Sequence, residues 1–409
     1  MILTEIFDVL LLVALALIFA RVLGYLFGRL KQPAVIGEII AGIFLGWIVL
    51  EFFQGNSIMF YNSEIYLPDF DFNSNEFVML AQIGILFLLF ISGLEIRMSK
   101  MKKMEKASSF VAIGGVLVPL VLGFFSAILL GFSYQESIII GLILIATSVG
   151  VTVRTLMDLH VLDTDVGATI LGGAVIDDII GIILLAFALG IESLTDAVWI
   201  GIRIIIFFLI FLILGLKLID KVINLGEKIR LPKALLSISL SILLIYAFFA
   251  DKAGISGIIG AFVAGILIGQ TVDSHKIAND VKTVGYGIFI PLFFVWIGAG
   301  LWQNAGANTL SLSTLVLFPL VIISIGIVGK IIGCGVGAKL SGLTNRESLQ
   351  IGVGMIPRME LALIIASAAV THELLTGDAA QKVLVATLFL IIVTTIITPF
   401  LIKATFKKN

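Results

Sequence analysis

Two neighbouring carboxylates, Asp177 and Asp178, stand in the middle of an apolar run, Gly172-Gly173-Ala174-Val175-Ile176-Asp177-Asp178-Ile179-Ile180-Gly181. Consecutive side chains on a helix point about 100° apart, so one carboxylate can face an ion while the other faces a counter-charge. Two carboxylates in a dry site do not both ionise without a cation, and they titrate as a coupled pair. That is the chemistry needed to take up a small cation and give up protons in exchange. A purely structural Asp pair would more naturally cap a helix end.

Lys330 lies in a second such run, Gly326-Ile327-Val328-Gly329-Lys330-Ile331-Ile332-Gly333, whose small residues let another helix come close. An ammonium at that depth wants an anion, and an aspartate is available. At about 4 Å and an effective dielectric of about 20 the attraction is about 4 kcal/mol. Desolvating each ion costs a comparable several kcal/mol, so the pair would be nearly balanced and easily switched. The alternatives are a fixed structural bridge or a lysine that snorkels to an interface. Arg358 and Glu360 are two apart and, on a regular helix, need separate partners. Glu38 and Glu95 are candidates for Arg358, and all four read as supporting charges or as helix-packing ion pairs. Arg203 is isolated and reads as a side chain that snorkels or contacts lipid.

The elements that must position these groups are membrane spans. Of the 409 residues 60% are hydrophobic and only 13% charged, with mean hydropathy +1.19, where a soluble domain would carry roughly a quarter charged. A soluble fold is excluded. The net charge of −1 and the lack of a basic face set nucleic acid aside. Cys334, the single cysteine, and the scattered His160, His275 and His372 offer neither a disulfide framework nor a clustered metal or haem site. No cofactor is expected. The first apolar stretch carries Glu5 and Asp8 where a signal peptide would be basic, so it reads as a retained span.

Crossing about 30 Å of hydrocarbon takes about 20 apolar residues. Segmenting on that length gives thirteen spans, near 4–27, 33–53, 78–96, 108–131, 136–157, 166–190, 195–217, 234–250, 254–271, 284–302, 312–338, 346–370 and 380–403. The segments that follow odd-numbered spans and the C-terminal tail, together with Arg154, Lys217, Arg346 and Lys403 at the span ends beside them, hold 20 of the 26 Lys and Arg. The positive-inside rule then puts the N-terminus outside and the C-terminus in the cytoplasm of a multi-pass cell-membrane protein. The long segment 54–77, with Glu64, Asp69, Asp71 and Glu76, suits an external loop without tight folding.

The chain also repeats itself. Residues 35–46 of span two match residues 258–269 of span nine at six of twelve positions. Both could be glycine-spaced packing faces. Spans two and nine are seven apart, however, and so cross in opposite directions, as inverted-topology repeats of transporters do, with the ion site near the midplane at interrupted helices. Breaks are accordingly expected at matching places. Span five holds Ala146-Thr147-Ser148-Val149-Gly150-Val151-Thr152, and span twelve holds Gly352-Val353-Gly354-Met355-Ile356-Pro357-Arg358-Met359-Glu360. Pro357 removes an amide donor and disfavours helix at Ile356.

In order and spacing these features resemble the cation/proton antiporter superfamily, and within it the bacterial and archaeal sodium/proton antiporters with paired aspartates. The resemblance covers nearly the whole chain. It rests on Gln32-Pro33-Ala34-Val35-Ile36-Gly37-Glu38, Gly93-Leu94-Glu95, Thr147-Ser148, Asp177-Asp178, Lys330, and Pro357-Arg358 with Glu360.

The resemblance implies an all-α polytopic fold with two broken crossing helices, and a homodimer in the lipid bilayer. It further implies inverted repeats of about 1–190 and 234–409 joined by a linker helix 195–217. Core-domain helices would fall within 78–190 and 284–403, and the rest would serve dimerisation. It implies sodium (or lithium) exchange for protons by alternating access, with Asp178 the principal cation and proton ligand and Asp177 held by Lys330 until the cation arrives. Thr147 and Ser148 would belong to the ion site. Members with two aspartates and this lysine are electrogenic. Members with Asn before the Asp are electroneutral and pair the span-twelve Arg with a Glu four residues earlier, where this chain has Gly173. Met359 stands where glycine is usual, and no cytosolic nucleotide-binding domain follows span thirteen. A potassium/proton antiporter and a cation channel or efflux pathway are the alternatives.

Overall fold

The computed structural model describes residues 2–30, 32–53, 57–60, 63–66, 70–96, 98–188, 194–229, 231–254, 256–303 and 312–407. The chain is helical nearly throughout, and among the described residues nine helices are long and apolar enough to cross a membrane. It divides into two compact units, residues 1–88 with 282–308, and residues 89–281 with 309–409.

In the first unit, α1 (Ile2–Arg29) and α2 (Ala34–Ile48) pack with α13 (Ile290–Gln303) around Leu12, Ala16, Leu45, Phe72, Leu292 and Val295. Glycine lets α2 and α13 touch backbone to backbone: a Cβ on Gly42 would meet the Val295 carbonyl oxygen at 2.1 Å, and one on Gly298 that of Ile39 at 2.1 Å. A π-helical turn, Val49–Phe53, continues α2. Beyond it, where the sequence reads as loose loop, Ser57–Phe60 (β1) and Ser63–Tyr66 (β2) pair as a short antiparallel hairpin, a departure from an otherwise helical fold. α3 (Asn75–Glu95) runs from the first unit into the second.

The second unit begins with the short basic helix α4 (Met98–Lys103), followed by α5 (Glu105–Leu129), α6 (Tyr134–Ile145), α7 (Val149–Asp158) and α8 (Asp165–Ala188). Next come α9 (Leu194–Lys228), α10 (Ala234–Lys252), α11 (Gly257–Gly269) and α12 (Ser274–Val284), which passes through a π turn, Gly285–Phe289, into α13. The unit closes with α14 (Leu312–Leu340), α15 (Asn345–Gly354), α16 (Glu360–Thr371) and α17 (Gly377–Phe406). With 35 residues α9 is longer than a bilayer requires, and its last turns carry Asp220, Lys221, Glu227 and Lys228. Its middle shows Ile205, Leu209 and Ile213 outward, as a lipid-facing helix does.

Among the described residues the apolar segments fall largely on helix, and the segments numbered five and twelve in the sequence are each split in two. α6 stops at Ile145, and Ala146 and Ser148 are extended before α7 starts. α15 stops at Gly354, and residues 356–359, Pro357 among them, are non-helical before α16. The broken segments are introduced in the same way. Two residues beyond α5 stands Gly131 (φ 87°), and two beyond α14 stands Gly342 (φ 99°), each in a left-handed conformation that glycine adopts without steric cost. Phe132 N then donates to Ala127 O at 3.1 Å, and Leu343 N to Ala338 O at 3.2 Å. Capping boxes follow at once, Ser133 with Glu136 and Thr344 with Glu347. The exits match too, through His160 (φ 57°) after α7 and Glu373 (φ 58°) after α16.

Candidate functional site

Three helices and the two breaks, all in the second unit, bring the site together. Asp177, from the middle of α8, and Lys330, from α14, form an ion pair with Nζ to Oδ2 at 2.9 Å and side chains 1% and 0% exposed. Thr147, in the first break, donates its hydroxyl to the same Oδ2. The other oxygen, Oδ1, is buried and has no hydrogen-bond partner among the described residues. A carboxylate satisfied on one oxygen only is a site for a cation or a proton on the other, because an unserved buried charge is costly. Asp178, the next residue on α8, is half-buried.

The breaks hold each other. Ser148 N, which would serve Leu144 O in an unbroken helix, instead donates to Pro357 O at 2.8 Å. Thr152 Oγ1 donates to Gly354 O at 2.6 Å. Ser148 Oγ donates to the Met359 thioether at 2.8 Å. Met359 is non-helical and 3% exposed, so its bulk is buried beside Ser148.

Arg358 is fully buried and serves the main chain. Its terminal nitrogens donate to Met355 O (3.2 Å), Ile356 O (2.6 Å), Leu144 O (2.9 Å) and Gly326 O (3.2 Å). The sequence reading looked for a carboxylate, Glu38 or Glu95. The four hydrogen bonds end instead on carbonyls, three of them beside the breaks, where a helix leaves acceptors unserved and its dipole concentrates negative charge. α17 steadies the same residue: Thr394 Oγ1 accepts from Arg358 N at 3.2 Å, and Thr395 Oγ1 donates to Arg358 O at 3.4 Å.

Of the remaining predicted residues, Glu95 is half-buried at the end of α3, and Glu38 is buried on α2 in the first unit. Glu360 opens α16, and its side chain lies outside the described residues. Arg203 is exposed on α9. Sequence reasoning passed over Thr394 and Thr395, although two adjacent hydroxyls at the centre of an apolar span were a visible signal. It could not have found the carbonyls of Leu144 and Gly326, which carry no side-chain signature. Among the described residues no three His, Cys, Asp or Glu side chains come together. A cation here would rest on one or two carboxylates with hydroxyls and carbonyls, an oxygen set suited to a hard ion.

Comparison with known proteins places this arrangement. Residues 13–408 match the family model described as sodium/hydrogen exchanger, transmembrane. A Bacillus cereus protein named Na(+)/H(+)-K(+) antiporter GerN is 34% identical over 396 residues, covering 96% of this chain and 95% of the relative. A second B. cereus protein, the probable Na(+)/H(+) antiporter GerT, is 35% identical, covering 88% of this chain and 91% of its own. A Na(+)/H(+) antiporter of Enterococcus hirae is 32% identical, covering 97% and 98% respectively. A buried Asp–Lys pair between two broken helices, in a chain that matches such proteins end to end, has one reading: the chain belongs to the sodium/hydrogen exchanger family, within the cation/proton antiporter superfamily.

Proposed function

We propose that this protein exchanges sodium or lithium for protons by alternating access, and that the exchange is electrogenic. The observation that carries the reading is the buried Asp177–Lys330 pair, with Asp177 Oδ1 unpartnered among the described residues. In the cation-free state Lys330 and Thr147 hold Oδ2. An arriving cation takes Asp178 as its principal ligand and competes for Asp177, with Thr147 and Ser148 supplying neutral oxygens. Lys330 is then released and gives up its proton. The attraction and the desolvation cost are each several kcal/mol, so a single cation can tip the balance. Arg358 holds the carbonyl ends of the broken helices in both states, which keeps the negative helix ends from competing for the cation.

Thirteen spans with the N-terminus outside, and inverted repeats, belong to the same proposal. The paired entries and exits of the broken segments support the repeat, since Gly131-Phe132-Ser133 and Gly342-Leu343-Thr344 build one connection twice, seven spans apart. We further propose a homodimer in the cell membrane whose role is sodium and pH homeostasis. A second reading, potassium among the exchanged cations, is favoured by the name of the B. cereus relative GerN.

The test is proton movement in proteoliposomes of the purified protein on addition of sodium, lithium or potassium, with the membrane potential clamped or free. Sodium-dependent flux that responds to the potential, abolished in Asp178→Asn, is expected. Lys330→Met should remove the response to potential. Substantial exchange by Asp178→Asn would overturn the assignment of Asp178. Cation flux without an opposing proton movement would replace the exchanger by a channel.

A further inference from the structure

Lys330 needs a seat as well as a partner. α5 and α14 touch backbone to backbone at Gly114 and Gly333: a Cβ on either would lie 2.2 Å from the other's carbonyl oxygen. One residue further along α5, a Cβ on Gly115 would lie 2.6 Å from Cys334 Sγ and 3.3 Å from Lys330 Nζ. Lys330 and Cys334 are one turn apart on α14 and so share the face turned to α5. Both are fully buried. The ammonium therefore has Asp177 Oδ2 at 2.9 Å and the bare backbone of Gly115 close beside it.

We infer that Gly115 is a positioning residue for exchange: the missing side chain makes the seat that holds the Lys330 ammonium against Asp177 and sets how readily a cation displaces it. The inference rests on the proposed exchange at this site. A methyl group at position 115 must push the thiol aside and press on the ammonium, since packed interiors have no room for an added carbon. The charged and titratable groups that the described contacts place around Lys330 are Asp177 on α8, Cys334 on its own helix, and Arg358 between α15 and α16. α5 brings no charge to this level, because its only charged residues, Glu105 and Lys106, open the helix. Crowding thus loosens the hold on Asp177 that an arriving cation has to displace.

The experiment compares the parent, Gly115→Ala, Cys334→Val, Cys334→Ala and the double variant Gly115→Ala/Cys334→Ala in proteoliposomes, reading apparent KM for sodium and maximal rate. Gly115→Ala should lower KM for sodium about tenfold with little change in maximal rate. Cys334→Val, which fills the seat from α14, should lower KM likewise, so the test survives if Gly115→Ala does not insert. The double variant should return most of the way to the parent, since removing Sγ clears the 2.6 Å contact. Unchanged KM in both single fillings would overturn the inference. So would a fall in maximal rate alone that Cys334→Ala does not relieve, which marks mere misfolding. A parent without sodium-dependent proton flux would instead sink the exchange reading itself.

Discussion

Replacing Arg358 by leucine tests whether the guanidinium caps the breaks. Four carbonyl oxygens take its hydrogen bonds, and those of Leu144, Met355 and Ile356 flank the breaks, where no helical amide serves them. Gly326 O lies inside α14 and keeps its helical donor. A buried acceptor left unserved costs about 1 to 3 kcal/mol, so three amount to about 3 to 9 kcal/mol. Against this, leucine removes a buried charge whose desolvation costs several kcal/mol. The net expectation is a loss of about 2 to 5 kcal/mol, within the range for breaking a buried polar network. Thermal unfolding of the detergent-solubilised protein should shift down by roughly 5 °C, given the smaller shift per kcal/mol in a large chain. Arg358→Lys keeps the charge but not the fork of donors, and should fall between leucine and the parent. Arg358→Leu with parental melting and parental exchange would refute the capping argument.

Other expectations concern packing and caps. Thr147→Val removes the hydroxyl that Asp177 Oδ2 accepts; it should cost about 1.5 to 3 kcal/mol and slow exchange, while Thr147→Ser keeps both, as melting and flux on the same preparations will show. Gly333→Val should yield little monodisperse protein by size-exclusion chromatography, because a Cβ there falls 2.2 Å from Gly114 O. Gly28→Ala, with open space at its Cβ, should be neutral or gain up to about 1 kcal/mol. Ser133→Ala and Thr344→Ala each delete a capping box and should each lower stability by about 1 kcal/mol in the same melting assay.

The site was legible in sequence where burying a charge is so costly that only partners justify it. Asp177 and Lys330 stood out against apolar neighbours for that reason, and the structure pairs them. Pro357 announced its break through a missing amide, and Thr147-Ser148 announced the other through hydroxyls amid isoleucine and leucine. The partners of Arg358 were not legible, since a free carbonyl looks the same in any residue and is known only once a helix is seen to stop. The paired connections were in plain view, a glycine two residues before a Ser/Thr-x-x-Glu box in each half. Their signal lies in turn residues, apart from the apolar runs of spans two and nine that show the repeat. The hairpin at 57–66 and helix α12, amphipathic and continuous with α13, lay in segments read as loops for their polarity.

The mutual support of the two breaks also bears on how the chain is made. Thr152 finds its acceptor 202 residues later in the chain, and Ser148 finds Met359 211 residues later. Synthesis at about 5 to 20 residues per second leaves an interval of roughly ten seconds or more between them. Throughout that interval, amides and carbonyls exposed at a break would face lipid with nothing to serve them, which the bilayer does not tolerate. The first broken segment must therefore enter as an unbroken helix or wait beside the insertion machinery. It opens only when its counterpart arrives, so the surroundings of Asp177 and Lys330 are among the last parts of the nascent chain to take shape.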